Sequence, residues 1–323
     1  MQPVRWGILS TARINGLFLD GAAPLGDVEV IAVGSRDRER GAAFADEYGI
    51  ERVHDTYDAL LADRDIEAVY IPLPNSLHVE WTLRALEQGK HVLCEKPLSR
   101  HLEQVERAFD AADRAGLLLM EAFMYRHNPQ TRKLQELVAD GAIGNLRVIR
   151  AAFSFNARDP ANIRLSRALD GGALMDVGCY CISGTRLLAG EPERVYAEQA
   201  LGGDGVDVVI AATLRFAGDV IGHFDAGLAL TARDELEVVG EDGSLFLDDP
   251  WHARTPVIEL RGEDGVQRIE LPPANSYGLE AENFSRAVRG EAEPLLGRAD
   301  AIGQARTIEA LYRSADAGEP VTL

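Results

Sequence analysis

Apolar positions in the first third of the chain come as short unbroken runs, not as an alternation. Val4–Leu9, Val28–Gly34, Ala68–Ile71, His91–Cys94 and Leu117–Met120 are runs of four to seven residues, and Val53-His54 is a shorter one. Such runs fit strands buried on both faces. Helix-period segments separate them, among them Ala42–Tyr48, Thr56–Ala62, His78–Gln88 and Leu102–Ala115. Several of these stop at a glycine: Gly49, Gly89 and Gly116. Six strands alternating with helices predict a doubly wound parallel sheet, an α/β Rossmann domain. We place it over residues 1–122.

Beyond Phe123 the rhythm changes. After a helix over Asn128–Asp140, strands follow one another: Arg147–Phe155, Arg194–Ala200, Val206–Phe216, Val220–Leu228, Glu235–Val239, Leu245–Leu247, Pro256–Leu260 and Gln267–Leu271. Hairpin-length links with turn residues, such as Ala217-Gly218-Asp219, predict a large, mostly antiparallel open sheet. Helices Tyr277–Arg289 and Arg298–Ala317 close the chain. Residues 123–323 are thus expected to form an α+β domain, one sheet face covered by helices and the other exposed or used for subunit contact.

The chemistry-bearing segments follow strand ends, where open α/β sheets bind ligands. After the first strand comes Ser10-Thr11-Ala12-Arg13-Ile14. It carries a degraded dinucleotide fingerprint, Gly7-x-x-Ser10-x-Ala12, whose small residues still admit a pyrophosphate. After the second strand comes Ser35-Arg36-Asp37-Arg38-Glu39-Arg40. An acidic side chain there would suit the ribose hydroxyl of NAD; Ser35 with Arg36 and Arg40 suits a 2′-phosphate and predicts NADP(H) over NAD(H). Alternatively, Arg36 and Arg40 pair with Asp37 and Glu39 on a solvated helix start. After the fourth strand comes Pro72–His78, including Leu73, Pro74, Asn75 and His78. After the fifth comes Glu95-Lys96-Pro97, where Pro97 ends the ladder and holds a lysine at the sheet edge. Lysine occurs only at 90, 96 and 133 in a chain that uses arginine freely.

In the second half, Gly171–Ile182 reads as one helix. Asp176 and Tyr180, four apart, share a face. A carboxylate and a phenol so placed could flank a substrate hydroxyl; a capped core helix with a buried tyrosine is the plainer reading.

A net charge of −19 argues against nucleic-acid or anionic-membrane partners, which want a basic face. No run approaches the roughly 20 apolar residues of a membrane span. The start enters a strand without the features of a signal peptide. Cys94, Cys179 and Cys181 are too few for a disulfide framework, and Cys179-x-Cys181 lacks a second pair for zinc, so buried thiols, no metal and a cytoplasmic setting are expected.

Arg5-Trp6-Gly7-Ile8, Pro74-Asn75-x-x-His78, Glu95-Lys96-Pro97, Met120-Glu121-Ala122-Phe123 and Gly171–Tyr180 together resemble the Gfo/Idh/MocA oxidoreductases, over essentially the whole chain. The branch most similar in these motifs is that of the NADP-dependent sugar (xylose) dehydrogenases and dimeric dihydrodiol dehydrogenase. The resemblance implies a nicotinamide between the domains beside Glu95-Lys96-Pro97, a Lys-Pro bond that is often cis, and a homo-oligomer built on the second sheet. Many members carry histidine where this chain has Tyr180, as the dihydrodiol branch does. The expected activity is hydride transfer between NADP(H) and a carbinol or carbonyl carbon of a sugar or related polyol. Lys96 and Tyr180 would handle the proton, Asp176 would orient, and Arg126, Asn162 and Arg164 would meet substrate hydroxyls. The rivals are a dinucleotide sensor without catalysis and an NAD-dependent glycoside hydrolase on the same fold.

Overall fold

The computed structural model describes residues 2–323. It divides into two compact units, residues 2–124 with 275–302, and residues 125–274 with 303–323.

In the first unit β1 (Val4–Leu9), α1 (Ile14–Ala22), β2 (Val28–Gly34), α2 (Arg38–Tyr48), β3 (Arg52–His54), α3 (Tyr57–Leu61), β4 (Ala68–Ile71), α4 (His78–Glu87), β5 (His91–Glu95), α5 (Leu102–Ala115) and β6 (Leu119–Ala122) follow the expected alternation. The six strands are parallel, in the order β3-β2-β1-β4-β5-β6. The order reverses between β1 and β4, so the segments after β1, β2, β4 and β5 lie at the carboxyl edge around a switch point. Neighbours on both sides and helices on both faces explain the unbroken apolar runs: every residue of β4 is buried.

In the second unit come α6 (Pro129–Ala139), β7 (Leu146–Asn156), α7 (Cys179–Ala189), β8 (Pro192–Leu201), β9 (Asp207–Phe216), β10 (Ile221–Gly227), β11 (Ala229–Gly240), β12 (Ser244–Leu247), β13 (Val257–Gly262) and β14 (Gly265–Glu270). The helices α8 (Ser276–Val288) and α9 (Arg298–Ala317) and the short β15 (Val321–Thr322) complete the chain. Nine strands form one sheet, β14-β13-β12-β11-β7-β10-β9-β8-β15. Every pairing in it is antiparallel except β7 with β10, which run parallel. Helix α7 packs on β7 and β10. Along β10 buried Gly222, Phe224 and Ala226 alternate with exposed Ile221 and His223, as a sheet with one covered face requires.

The segment 275–302, which follows β14 and was expected to belong with the second sheet, packs in the first unit. Its helix α8 meets α1 backbone to backbone: a Cβ on Gly21 would stand 2.5 Å from the Gly278 nitrogen. The Trp6 ring lies 5.6 Å from Phe18 and 5.4 Å from Phe284, and its Nε1 donates to Ser285 Oγ at 3.1 Å. Periodicity reveals that α8 has an apolar face; it does not reveal which core that face covers.

The end of α8 is tied to the first strand by charge. Arg289 donates to Glu67 at 2.8 and 3.0 Å and to the carbonyls of Gln2 and Pro3. The hydrogen bonds from Arg289, outweighing partial burial, hold the Glu67 carboxyl down at about 2. A depressed carboxylate adds stability above its unfolded value near 4.5 and loses it as pH falls through 2. Arg289→Ala should therefore cost about 1–2 kcal/mol at pH 7 and much less near pH 2, as read by urea unfolding at the two pH values.

Candidate functional site

At the end of β1, Ser10 takes φ 105°, a region that favours glycine. A non-glycine residue held there is strained, a feature that clusters at ligand sites. Ser10 Oγ accepts from Ala12 N at 3.3 Å, and its carbonyl takes the Asn15 amide at 2.7 Å. The N-terminus of α1, reached through Thr11, Ala12 and Arg13, has no side-chain cap and no acidic residue in its first turn. Its N–H groups therefore suit an anion such as a pyrophosphate. Gly7 lies in the strand itself, where a Cβ would stand 2.8 Å from Leu60 Cδ2.

After β2, Asp37 caps α2 by accepting from Arg40 N, and Arg38 reaches Asp55 at 3.7 Å. The exposed Arg36 and Arg40 guanidiniums have no carboxylate partner among the described residues, unlike the solvated-face alternative, which pairs them with Asp37 and Glu39. The Ser35 hydroxyl is turned inward, donating to Asp37 O at 2.6 Å. The described residues thus fit a dinucleotide with an extra phosphate: a strained small-residue turn, an open helix end and two guanidiniums.

Lys96-Pro97 is a cis peptide. Around it the chain is pinned on three sides. Tyr70 OH donates to Glu95 Oε1 at 2.5 Å, and Lys96 N donates to Glu95 Oε2 at 3.3 Å. Leu98 N donates to Glu121 Oε1 at 2.7 Å. His78, wholly buried, sets Nδ1 2.9 Å from Pro97 O and Nε2 2.7 Å from Leu73 O. Burial and the Lys96 charge lower His78 to about 4, against the pull of the two carbonyls. A neutral ring has one N–H, so it donates to one carbonyl only. His78 thus lies between the Leu73-Pro74-Asn75 loop and the Lys96 corner and donates to one of the two carbonyls. The other two lysines are structural. Lys90 Nζ donates to Asp63 O and Ile66 O at 2.7 and 2.8 Å, and Lys133 pairs with Glu136.

The second unit holds the other motif. The stretch Leu174–Gly178 is a π-turn that runs into α7. This differs from the single regular helix expected over 171–182: the wide turn adds one residue, so Asp176 and Tyr180 are not at regular α spacing, although both stay within about one turn. π-Turns of this kind recur at functional sites. The buried Asp207 anchors the start, accepting from Leu174 N at 2.6 Å and Tyr312 OH at 2.9 Å. Gly172, at φ 122°, is obligatory: a Cβ would stand 2.2 Å from Asp207 Oδ1. Asp176 Oδ2 accepts from Arg164 Nε at 2.7 Å, and Asn162 Oδ1 accepts from Arg164 N at 3.1 Å, so three of the candidate residues are linked. Arg126 donates to Ser183 Oγ of α7 at 3.4 Å. Tyr180, only 7% exposed, is walled by Tyr125, Phe153 and Trp251, with ring centroids 5.8, 5.4 and 6.0 Å away.

A model of the oxidoreductase family with an NAD-binding Rossmann fold matches residues 5–123, and one of the GFO/IDH/MocA C-terminal domain matches 131–246. A D-xylose 1-dehydrogenase (NADP(+)) of Haloferax volcanii is 39% identical, over 98% of this chain and 99% of that protein. The chain belongs to the Gfo/Idh/MocA family of oxidoreductases. Another relative, the trans-1,2-dihydrobenzene-1,2-diol dehydrogenase of Xenopus laevis, is 33% identical over 87% of this chain and 84% of its own. Among solved structures, a 3-ketoreductase from Actinomadura kijaniata in complex with NADP and TDP-benzene superposes with a TM-score of 0.92. It is 33% identical, covering 97% of this chain and 98% of that one.

As a Gfo/Idh/MocA member, the chain has supports around its motifs that single residues did not signal. Tyr70, Glu121, Phe153, Asp207 and Trp251 all come from strands or loops distant in sequence. Only Glu121, a charge ending the apolar run Leu117–Met120, carried a visible cue. The three cysteines are buried and free, and no helix of the described residues is long and apolar enough to cross a membrane.

Proposed function

We propose that this chain is an NADP(H)-dependent dehydrogenase or reductase of a sugar or related polyol, preferring NADP(H) to NAD(H). When bound, the nicotinamide supplies the hydride exchange; the chain's own part is the proton. Tyr180 is assigned as general base in oxidation and general acid in reduction. A phenol in water titrates near 10, so the role asks for a cation, and Lys96 is assigned to supply it and to bond the reacting oxygen. Asp176, already holding Arg164, orients the substrate hydroxyls, with Asn162, Arg164 and Arg126 as further contacts. The second unit takes the substrate and carries the subunit contact on its open sheet face, and the enzyme works in the cytoplasm.

The observation that carries the cofactor preference is the unpaired Arg36 and Arg40 after β2. The sugar reading draws support from the xylose dehydrogenase and ketoreductase relatives. In the test, the double variant Arg36→Ala/Arg40→Ala should raise the KM for NADP+ about 100-fold and leave that for NAD+ within about threefold. Equal losses for both cofactors would overturn the preference. A panel of aldoses, ketoses and trans-dihydrodiols, followed by reduced-cofactor absorbance, tests the class. Cofactor binding with no turnover of any of them would favour a sensor, and glycoside cleavage without net redox change would favour a hydrolase.

A further inference from the structure

The segment Asp248–Arg254 lies between β12 and β13 and is held by a buried indole and a cluster of charges. Its centre is Trp251, fully buried, whose Nε1 donates to Ala152 O at 3.4 Å. The indole fits because residue 184 of α7 is glycine: a Cβ there would stand 2.8 Å from Trp251 Cη2. The ring packs 5.3 Å from Tyr125 and 6.0 Å from Tyr180. A bulky side chain in such a place needs its backbone fixed.

Four charged residues do the fixing. His252 Nδ1 lies 2.6 Å from Asp234 Oδ2 on β11 and 3.6 Å from Asp249 Oδ1. Arg254 donates to Asp249 from its backbone N at 2.6 Å and from NH2 at 3.1 Å, and reaches Asp234 at 3.4 Å. Asp234 also accepts from Trp251 N at 3.4 Å. Ala253, between the two cations, takes φ 51°, so the segment is bent as well as bound. The His252 ring stands edge to face on Phe153 at 5.5 Å, and Phe153 stands edge to face on Tyr180 at 5.4 Å. The two carboxylates and His252 lie within 4.8 Å of one another, as ligands of a metal would. Arg254 already fills the cation's place.

We infer that the Asp234–His252–Asp249–Arg254 cluster is a latch that seats Trp251 and Phe153 against Tyr180, making His252 a positioning residue for the phenol. The inference rests on the catalytic reading of Tyr180 for its consequence in turnover, but not for its structural content.

Burial opposes the imidazolium of His252, yet the Asp234 and Asp249 carboxylates outweigh it and push the group up to about 9. Burial also raises Asp249, but His252 and Arg254 together hold it low; Asp234 is lifted by burial. The Arg254 guanidinium, 3.2 Å from His252 Nδ1, opposes the imidazolium, and farther out lie the Arg233–Asp225 pair, the Cys181 thiol of α7 and the Tyr180 phenol. A group raised on folding contributes fully below its unfolded value near 6.5 and loses that contribution as pH rises through 9. The charge of His252 therefore holds the latch at neutral pH and that share of the hold is lost in alkali, while the Arg254 contacts to Asp249 and Asp234 remain.

The test uses the full chain, with tryptophan emission and thermal unfolding as readouts that need no substrate. Wild type should show a red shift of emission with a midpoint near pH 9, absent in Trp251→Phe, which leaves only Trp6 and Trp81. His252→Gln should show the shifted emission already at pH 7 and lose the midpoint. With NADP+ and a sugar turned over by wild type, its kcat should fall about tenfold while the KM for NADP+ is unchanged, within the range that misplacing a catalytic group allows. Should His252→Gln not fold, Asp249→Asn is expected to give the same emission change in milder form. Unaltered emission, melting and pH midpoint in the folded variants would overturn the latch. Full turnover by Tyr180→Phe beside an intact emission shift would remove the catalytic reading and leave the latch standing.

Discussion

Lys96→Met is expected to lower kcat about a thousandfold while the Kd for NADPH, measured by fluorescence titration, stays within about threefold. The two quantities are expected to separate because three contacts that do not involve the ammonium hold the corner. Glu95 is fixed by Tyr70, Leu98 N by Glu121, and Pro97 O by His78. Methionine keeps the length of the stem and removes the charge, so the backbone that faces a cofactor is left as it was. Rapid turnover by the variant would end the assignment of Lys96 to the proton step; loss of cofactor binding in parallel would make it a binding residue instead.

Tyr180→Phe is expected to cost about 100- to 1000-fold in kcat, with the fold intact. The ring is packed on three aromatic neighbours, and phenylalanine fills the same space. The sharper measurement is the double variant. If Lys96 and Tyr180 serve one proton, Lys96→Met/Tyr180→Phe should lose far less than the product of the single losses, as groups acting together do. Losses that multiply would show two independent roles and break the shared-proton mechanism.

Much of this was readable before any coordinates. Unbroken apolar runs reported the parallel sheet because burial on both faces leaves no polar period. The strand ends were readable too: the apolar runs stop close to where Ser35–Arg40 and Glu95–Pro97 begin, as β2 and β5 do. Other features had no local signal. Nothing near Gly172 points to Asp207, more than thirty residues on, as the group that crowds it. The π-turn at Leu174–Gly178 leaves the hydrophobic pattern of α7 almost unaltered, so periodicity could not reveal it. His252 and its carboxylates carried no signal in the sequence, since Asp234 and Asp249 lie apart along the chain and are brought together where β11 pairs with β12. The parallel β7–β10 pair was hidden for the same reason: a run of strands gives no direction for partners that are not consecutive.

The return of residues 275–302 to the first unit has a bearing on how this protein is made. Emerging from the ribosome, the nucleotide-binding half cannot close when its sixth strand is out, because the surface around Trp6 and Phe18 still lacks Phe284 and the Gly278 face of α8. It must wait through about 150 further residues, some ten to thirty seconds at ordinary translation speeds. The nascent chain carries exposed aromatic surface throughout that interval. The same arrangement sets a limit on dissection: a fragment cut after the sixth strand is not a domain, and any expression of that half alone needs α8 grafted back onto it.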